Sequence, residues 1–112
     1  MAKLERSLHG NFDAILNALD NAIMNGSFTA SFEDGSDVSF RDGNRCSVRV
    51  YERYSWLGQN RVSLSITLAG NSNCSHLTAI TSGGSQGMFF KINTWSEEAF
   101  LDTIFDAVEQ FS

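Results

Sequence analysis

Polar and apolar positions alternate along most of this chain, and the points where the period changes mark out its elements. Leu4, Arg6 and Leu8 alternate with Lys3, Glu5, Ser7 and His9, a period of two that predicts a short strand with one inward face. Arg6 is the misfit on that face. From Asn11, an acceptable N-cap, Phe12, Ile15, Leu16, Leu19 and Ile23 follow helical spacing until Asn25-Gly26, which predicts a helix with a left-handed stop. Strand periodicity resumes with Phe28, Ala30 and Phe32 opposed to Ser27, Thr29, Ser31 and Glu33. Turn signals at Asp34-Gly35 and Asp42-Gly43-Asn44 bracket a short strand holding Val38 and Phe40.

Arg45 to Tyr54 reads as a longer strand with Cys46, Val48 and Val50 turned inward. Its neighbour, Arg61 to Ala69, has the cleanest alternation, with Val62, Leu64, Ile66 and Leu68 inward against Ser63, Ser65 and Thr67. Cys74 to Ser82 predicts another strand with a bulge near Ala79, and Met88 to Ile92 a last, Phe-rich one. Thr94-Trp95-Ser96-Glu97 has the form of a capping box, Thr94 at the N-cap and Glu97 at N3. A final helix would then bury Phe100, Leu101, Ile104, Phe105, Val108 and Phe111.

Short links favour antiparallel neighbours, because parallel crossovers need a dozen or more residues. Both helices are one-sided, so each needs the apolar face of the sheet. The expected architecture is one α+β domain over residues 1–112, a two-layer sandwich. An antiparallel sheet of about five to seven strands is covered on one face by two helices, in the order β-α-β-β-β-β-β-β-α.

Composition narrows the function classes. With 112 residues, 42% of them hydrophobic and nine Phe, one sizeable core can form and no second domain is needed. Eight basic against 13 acidic residues leave a net charge of −5, which argues against nucleic acid as a partner. No apolar run reaches the length of a membrane span and no signal peptide is evident, so a cytoplasmic protein is expected. The two cysteines, Cys46 and Cys74, are expected as reduced thiols, and their spacing matches no zinc motif. No cofactor is implied.

The element order resembles a shortened helix-grip fold, in which a curved sheet wraps a C-terminal helix and often encloses an apolar cavity. Val50-Tyr51-Glu52-Arg53-Tyr54, Asn60-Arg61-Val62-Ser63-Leu64, Ala79-Ile80-Thr81-Ser82-Gly83-Gly84-Ser85-Gln86 and Phe89-Phe90-Lys91-Ile92-Asn93-Thr94 resemble an uncharacterised family of small bacterial cytosolic proteins, a domain of unknown function. That resemblance implies no activity and no site residues.

Candidate chemistry therefore rests on the residues. Arg45, Arg49 and Arg53 recur every fourth position with Tyr51 among them, and Arg61 opens the next strand; with Arg41, five of the six arginines fall between residues 41 and 61. On the expected parity this row lies on the open face of the sheet, where guanidinium forks and a flat phenol suit a small anion or an acidic protein. The plainer alternative is a solvated face whose charges pair across strands with Glu33 and Glu5 and discourage aggregation. Trp56 at a hairpin tip could anchor a partner or fold back on the core.

Glu52 takes the inward parity of Val50 and Tyr54, and Arg6 does so on the first strand. Each would sit at the rim, or else Arg6, Glu52 and Tyr54 would form the polar lining of a pocket. Cys74 and His76 share a face, yet no orienting acid accompanies them and structural roles are preferred. The Gly83 to Gly87 stretch leads into a strand and lacks the lysine of a phosphate loop, so it reads as a turn.

The preferred expectation is a non-enzymatic binding protein that uses the Arg/Tyr face, with self-association through an edge strand as one form of partner. The alternative is a helix-grip-like ligand pocket between sheet and helices, with weak enzymatic activity if acids or bases line it. No clustered acid, base, nucleophile or metal set supports assigning catalysis outright.

Overall fold

The computed structural model describes residues 1–55, 60–83 and 90–112, with only the backbone for 90–94. β1 (Ala2–His9) leads into α1 (Phe12–Asn25), followed by β2 (Ser31–Ser39), β3 (Arg45–Ser55), β4 (Asn60–Gly70) and β5 (Cys74–Gly83). α2 (Phe90–Asp102) and α3 (Phe105–Phe111) close the chain. The strands form one antiparallel sheet in the order β1-β5-β4-β3-β2, so the N-terminal strand returns to pair with the last. The α+β class and two-layer arrangement are those expected from the periodicity.

Directly opposed residues in an antiparallel ladder share a face, and the register defines rows running across the inner surface. One row is Leu4, Ala79, Ile66, Arg49 and Gly35; the next is Arg6, Leu77, Leu68, Ser47 and Asp37. The inner surface is therefore apolar beneath β1, β5 and β4 and polar beneath β3 and β2. Leu8, Val62, Leu64, Ile66, Leu68, Leu77 and Ala79 are fully buried against Ile15, Leu19 and Ile23 of α1, Phe100 of α2, and Ile104 and Val108 at α3.

Several local expectations are corrected. Residues 28–33 and 38–40 are not two strands; β2 is continuous through Asp34-Gly35, with a register shift between Phe32 and Asp34. That extra residue reverses the parity, so Phe32 lies on Tyr51's face and Val38 opposes Cys46 on the other. β5 pairs without a register shift at Ala79. Phe90 to Ile92 belong to α2 rather than to a strand, and residues 88–89 lie outside the described ones.

Thr94 is consequently inside α2, and Glu97 does not cap it. The Glu97 carboxylate is buried and instead accepts from the Gly83 amide at 3.2 Å and pairs with the N-terminal ammonium at 3.0 Å. The expected final helix is broken after Asp102, where the Thr103 hydroxyl donates back to the Phe100 carbonyl at 2.7 Å. The break leaves Phe105 half exposed while Ile104 and Val108 stay buried. Asn11 caps α1 as expected, accepting from the Ala14 amide at 2.9 Å. Gly26 ends the helix with φ −78°, not left-handed. Its lack of a side chain serves packing, since a Cβ there would lie 3.1 Å from the Thr103 methyl.

Candidate functional site

The parity of β3 is the opposite of the one expected. Arg45, Ser47, Arg49, Tyr51 and Arg53 face the helix layer, while Cys46, Val48, Val50, Glu52 and Tyr54 share the outer face with Arg61. β4 settles the matter, because Tyr51, Arg49 and Ser47 stand opposite Leu64, Ile66 and Leu68, all fully buried. The Arg/Tyr row is thus not an open sheet surface. Long arginine stems can lie along apolar surface while their heads reach the rim, so the row is tolerated there.

Each inward aromatic or arginine side chain of β3 meets a partner from a helix. The Arg45 guanidinium lies 4.4 Å from the centre of the Phe12 ring and bonds Asp13 of α1 at 2.9 Å and Asp37 of β2 at 2.8 Å. Those two carboxylates hold its pKa above the ordinary arginine value. Arg53 lies 4.7 Å above Phe100 of α2, and burial lowers its pKa. Tyr51 is fully buried, and its hydroxyl donates to Asp20 Oδ1 on α1 at 2.6 Å. Burial pushes the phenol up to about 12; the bond to Asp20 adds to the rise and the neighbouring Arg49 opposes it.

Between α1, β2 and β3 these residues leave an open groove of about 420 Å³, lined among others by Asp20, Phe32, Gly35, Asp37, Ser47 and Arg49. Gly35 forms its floor: a Cβ there would lie 2.7 Å from the Val48 carbonyl oxygen and 3.2 Å from the Phe32 ring. Phe32 is half exposed and meets Tyr51 edge to face at 5.6 Å. Arg49 reaches Asp20 only at 3.7 Å, beyond hydrogen-bond range, and therefore keeps donor capacity. Ser47 is 1% exposed, and its hydroxyl has no hydrogen-bond partner. Buried polar atoms are normally paired, so this orphan draws notice to the groove. The other such hydroxyl among the described residues, on Ser75, stands opposite Leu8 at the far flank of the sheet and lines no part of the groove.

The alternative pocket trio is not assembled. Arg6 keeps its inward parity but sits at the rim, bonding Glu109 of α3 at 2.7 Å. Glu52 points away from the helices, because β3 has the reverse parity, and accepts from Arg61 at 2.9 Å. Tyr54 shares that outer face, opposite Arg61. Trp56 and residues 84–87 lie outside the described residues. Cys74 and His76 are exposed on the outer face; His76 lies 3.4 Å from Glu5. Among the described residues no group of three His, Cys, Asp or Glu side chains could hold a metal ion. No described helix is long and apolar enough to cross a membrane.

Asp20, Asp37 and Gly35 escape a reading of the sequence alone. A signal for Asp20 is present, since it interrupts the α1 pattern one residue after Leu19; its pairing with Tyr51 requires the correct β3 parity.

The site thus belongs to a small two-layer α+β domain with a charged groove at one flank. The chain belongs to a family of unknown function, DUF6054, whose model matches residues 1–112. No curated protein matches it. Among solved structures it is similar to the crystal structure of the di-domain ARO/CYC StfQ from the steffimycin biosynthetic pathway, at 9% identity and a TM-score of 0.42. That likeness covers 98% of this chain and 45% of the other, so the chain spans under half of that protein's length.

Proposed function

We propose that this protein binds a small polar ligand in the groove between α1, β2 and β3, without catalysing its conversion. The carrying observation is the buried Ser47 hydroxyl, unpartnered beside an arginine that has donors to spare. An unpaired buried hydroxyl costs about 1–3 kcal/mol, a cost that a bound acceptor would remove. Phe32 supplies an apolar wall and Arg49 an anchor for a negatively charged atom group. Of the residues expected to bind, the reading keeps Arg49 and puts it in a cleft between layers. It is a reading for a cytoplasmic protein, as expected from a sequence with no evident signal peptide.

A ligand-observed NMR screen with a library of small polar molecules tests it. Binders are expected to weaken by about tenfold or more in Arg49→Gln and in Ser47→Ala. Ser47→Ala should fold at least as stably as the parent, because it removes the orphan hydroxyl. A screen without binders, or binders indifferent to both changes, would end the proposal.

Self-association is the second reading, favoured by β2 lying at the sheet edge with Val38 45% and Phe40 55% exposed. Sedimentation equilibrium decides it: a monomer at high concentration removes the edge from consideration.

A further inference from the structure

We infer that the ligand of this groove is a compact zwitterion of the α-amino acid class, with its carboxylate on Arg49 and Ser47 and its ammonium facing Asp20 and Asp37. The inference rests on the binding reading above and deepens it. The argument is one of charge. Three ionised side chains line the groove, Asp20 and Asp37 against Arg49, so both signs of charge face it. A simple anion drawn to Arg49 meets two carboxylates, and a simple cation drawn to those carboxylates meets the Arg49 guanidinium. A dipolar molecule satisfies both signs.

The remaining bonding capacity agrees. Asp20 uses Oδ1 for Tyr51 and Arg49, and Asp37 uses Oδ2 for Arg45, so each keeps a second oxygen for an incoming N–H donor. Arg45 is taken up by Asp13, Asp37 and the Phe12 ring, which leaves Arg49 and the Ser47 hydroxyl as the donors facing the ligand. The opposite charges of Asp20 and Arg49 stand side by side at 3.7 Å. That spacing suits an ammonium and a carboxylate carried on one carbon. The half-exposed Phe32 ring then receives an apolar side chain.

Phenylalanine and its two single-charge analogues, phenethylamine and hydrocinnamate, test this by titration into the isotopically labelled protein near neutral pH. Phenylalanine is expected to shift the amide signals of Gly35, Ser36, Ser47 and Arg49 and to bind about tenfold or more tighter than either analogue. Asp20→Asn should weaken phenylalanine and strengthen hydrocinnamate, a crossed response that a general folding defect does not produce. Either analogue binding as well as phenylalanine, at the same amides and with loss in Arg49→Gln, overturns the zwitterion and leaves the groove reading standing. Phenylalanine without effect on those amides also overturns it, while the library screen judges the groove itself.

Discussion

The Tyr51 hydroxyl donates to Asp20 Oδ1 at 2.6 Å, joining the middle of β3 to the flank of α1 across the boundary between apolar and polar halves of the inner sheet face. Among the described residues Tyr51 is the largest fully buried side chain, and its one polar atom is satisfied by a helix residue placed one position beyond Leu19. The bond orients Asp20 toward the groove and ties the groove's charge to the core.

Burial of that phenol, reinforced by its bond to Asp20, makes stability sensitive to alkali. The folded phenol ionises near 12 against 10.0 for an ordinary tyrosine. Because the folded pKa is the higher, the folded state holds its proton where the unfolded chain has lost it. The stabilisation is complete below pH 10 and drains away as the pH rises toward 12. The total is on the order of 2 kcal/mol. Denaturant unfolding across that window should show the decline in the parent and a much flatter profile in Tyr51→Phe; parallel profiles would contradict the assignment.

The parity of β3 can be read from a pair of polar substitutions. Leu64→Ser places a hydroxyl in the apolar half of the core and should cost about 3 kcal/mol or more. Val50→Ser on the outer face should cost under about 1 kcal/mol. Chemical denaturation measures both, and a Val50 penalty equal to that of Leu64 would restore the parity expected from periodicity.

Arg53 over Phe100 is predicted to act mainly through its stem and the face of its guanidinium. Arg53→Ala should lower stability by about 1–2 kcal/mol, and Arg53→Met should recover most of the loss because it refills the volume above the ring. Unfolding midpoints of the two variants that coincide would show that the ring contact contributes nothing.

Gly70 ends β4 with φ +151°, and a Cβ there would collide with the Cys74 carbonyl oxygen and lie 2.6 Å from Ser75 Cα. Both a disfavoured backbone and a steric overlap then oppose any side chain. Gly70→Ala is expected to cost upwards of about 3 kcal/mol, by thermal or chemical unfolding. Gly43 has φ +88° but open space within 4 Å of where a Cβ would stand, so the same change there should cost only about 1 kcal/mol.

Arg6 and Glu52 show where periodicity succeeds and where it fails. The inward parity it gives Arg6 is the one the structure has, at the rim with Glu109. The same parity given to Glu52 is wrong, for that side chain lies on the other face with Arg61. β1 contains large apolar residues at only one parity, whereas β3 carries Val48 and Val50 at one and Tyr51 at the other, so periodicity alone cannot orient it. The charged groove depends on the same strand and is hidden with it.

Local pattern suffices for the class of fold: strands of period two, helices of period three to four, antiparallel order from short links, and a core drawn from α1, β4 and the last helical segment. Those follow from backbone geometry and the burial of apolar area, which act within a few residues. The inward face of β3 is a tertiary outcome, because cross-strand pairing with Leu64, Ile66 and Leu68 and the rings of Phe12 and Phe100 outweigh the modest preference of two valines. From that choice come the meeting of Tyr51 with Asp20 and the orphaned Ser47, groups 31 residues apart or facing a cleft that no local pattern encodes.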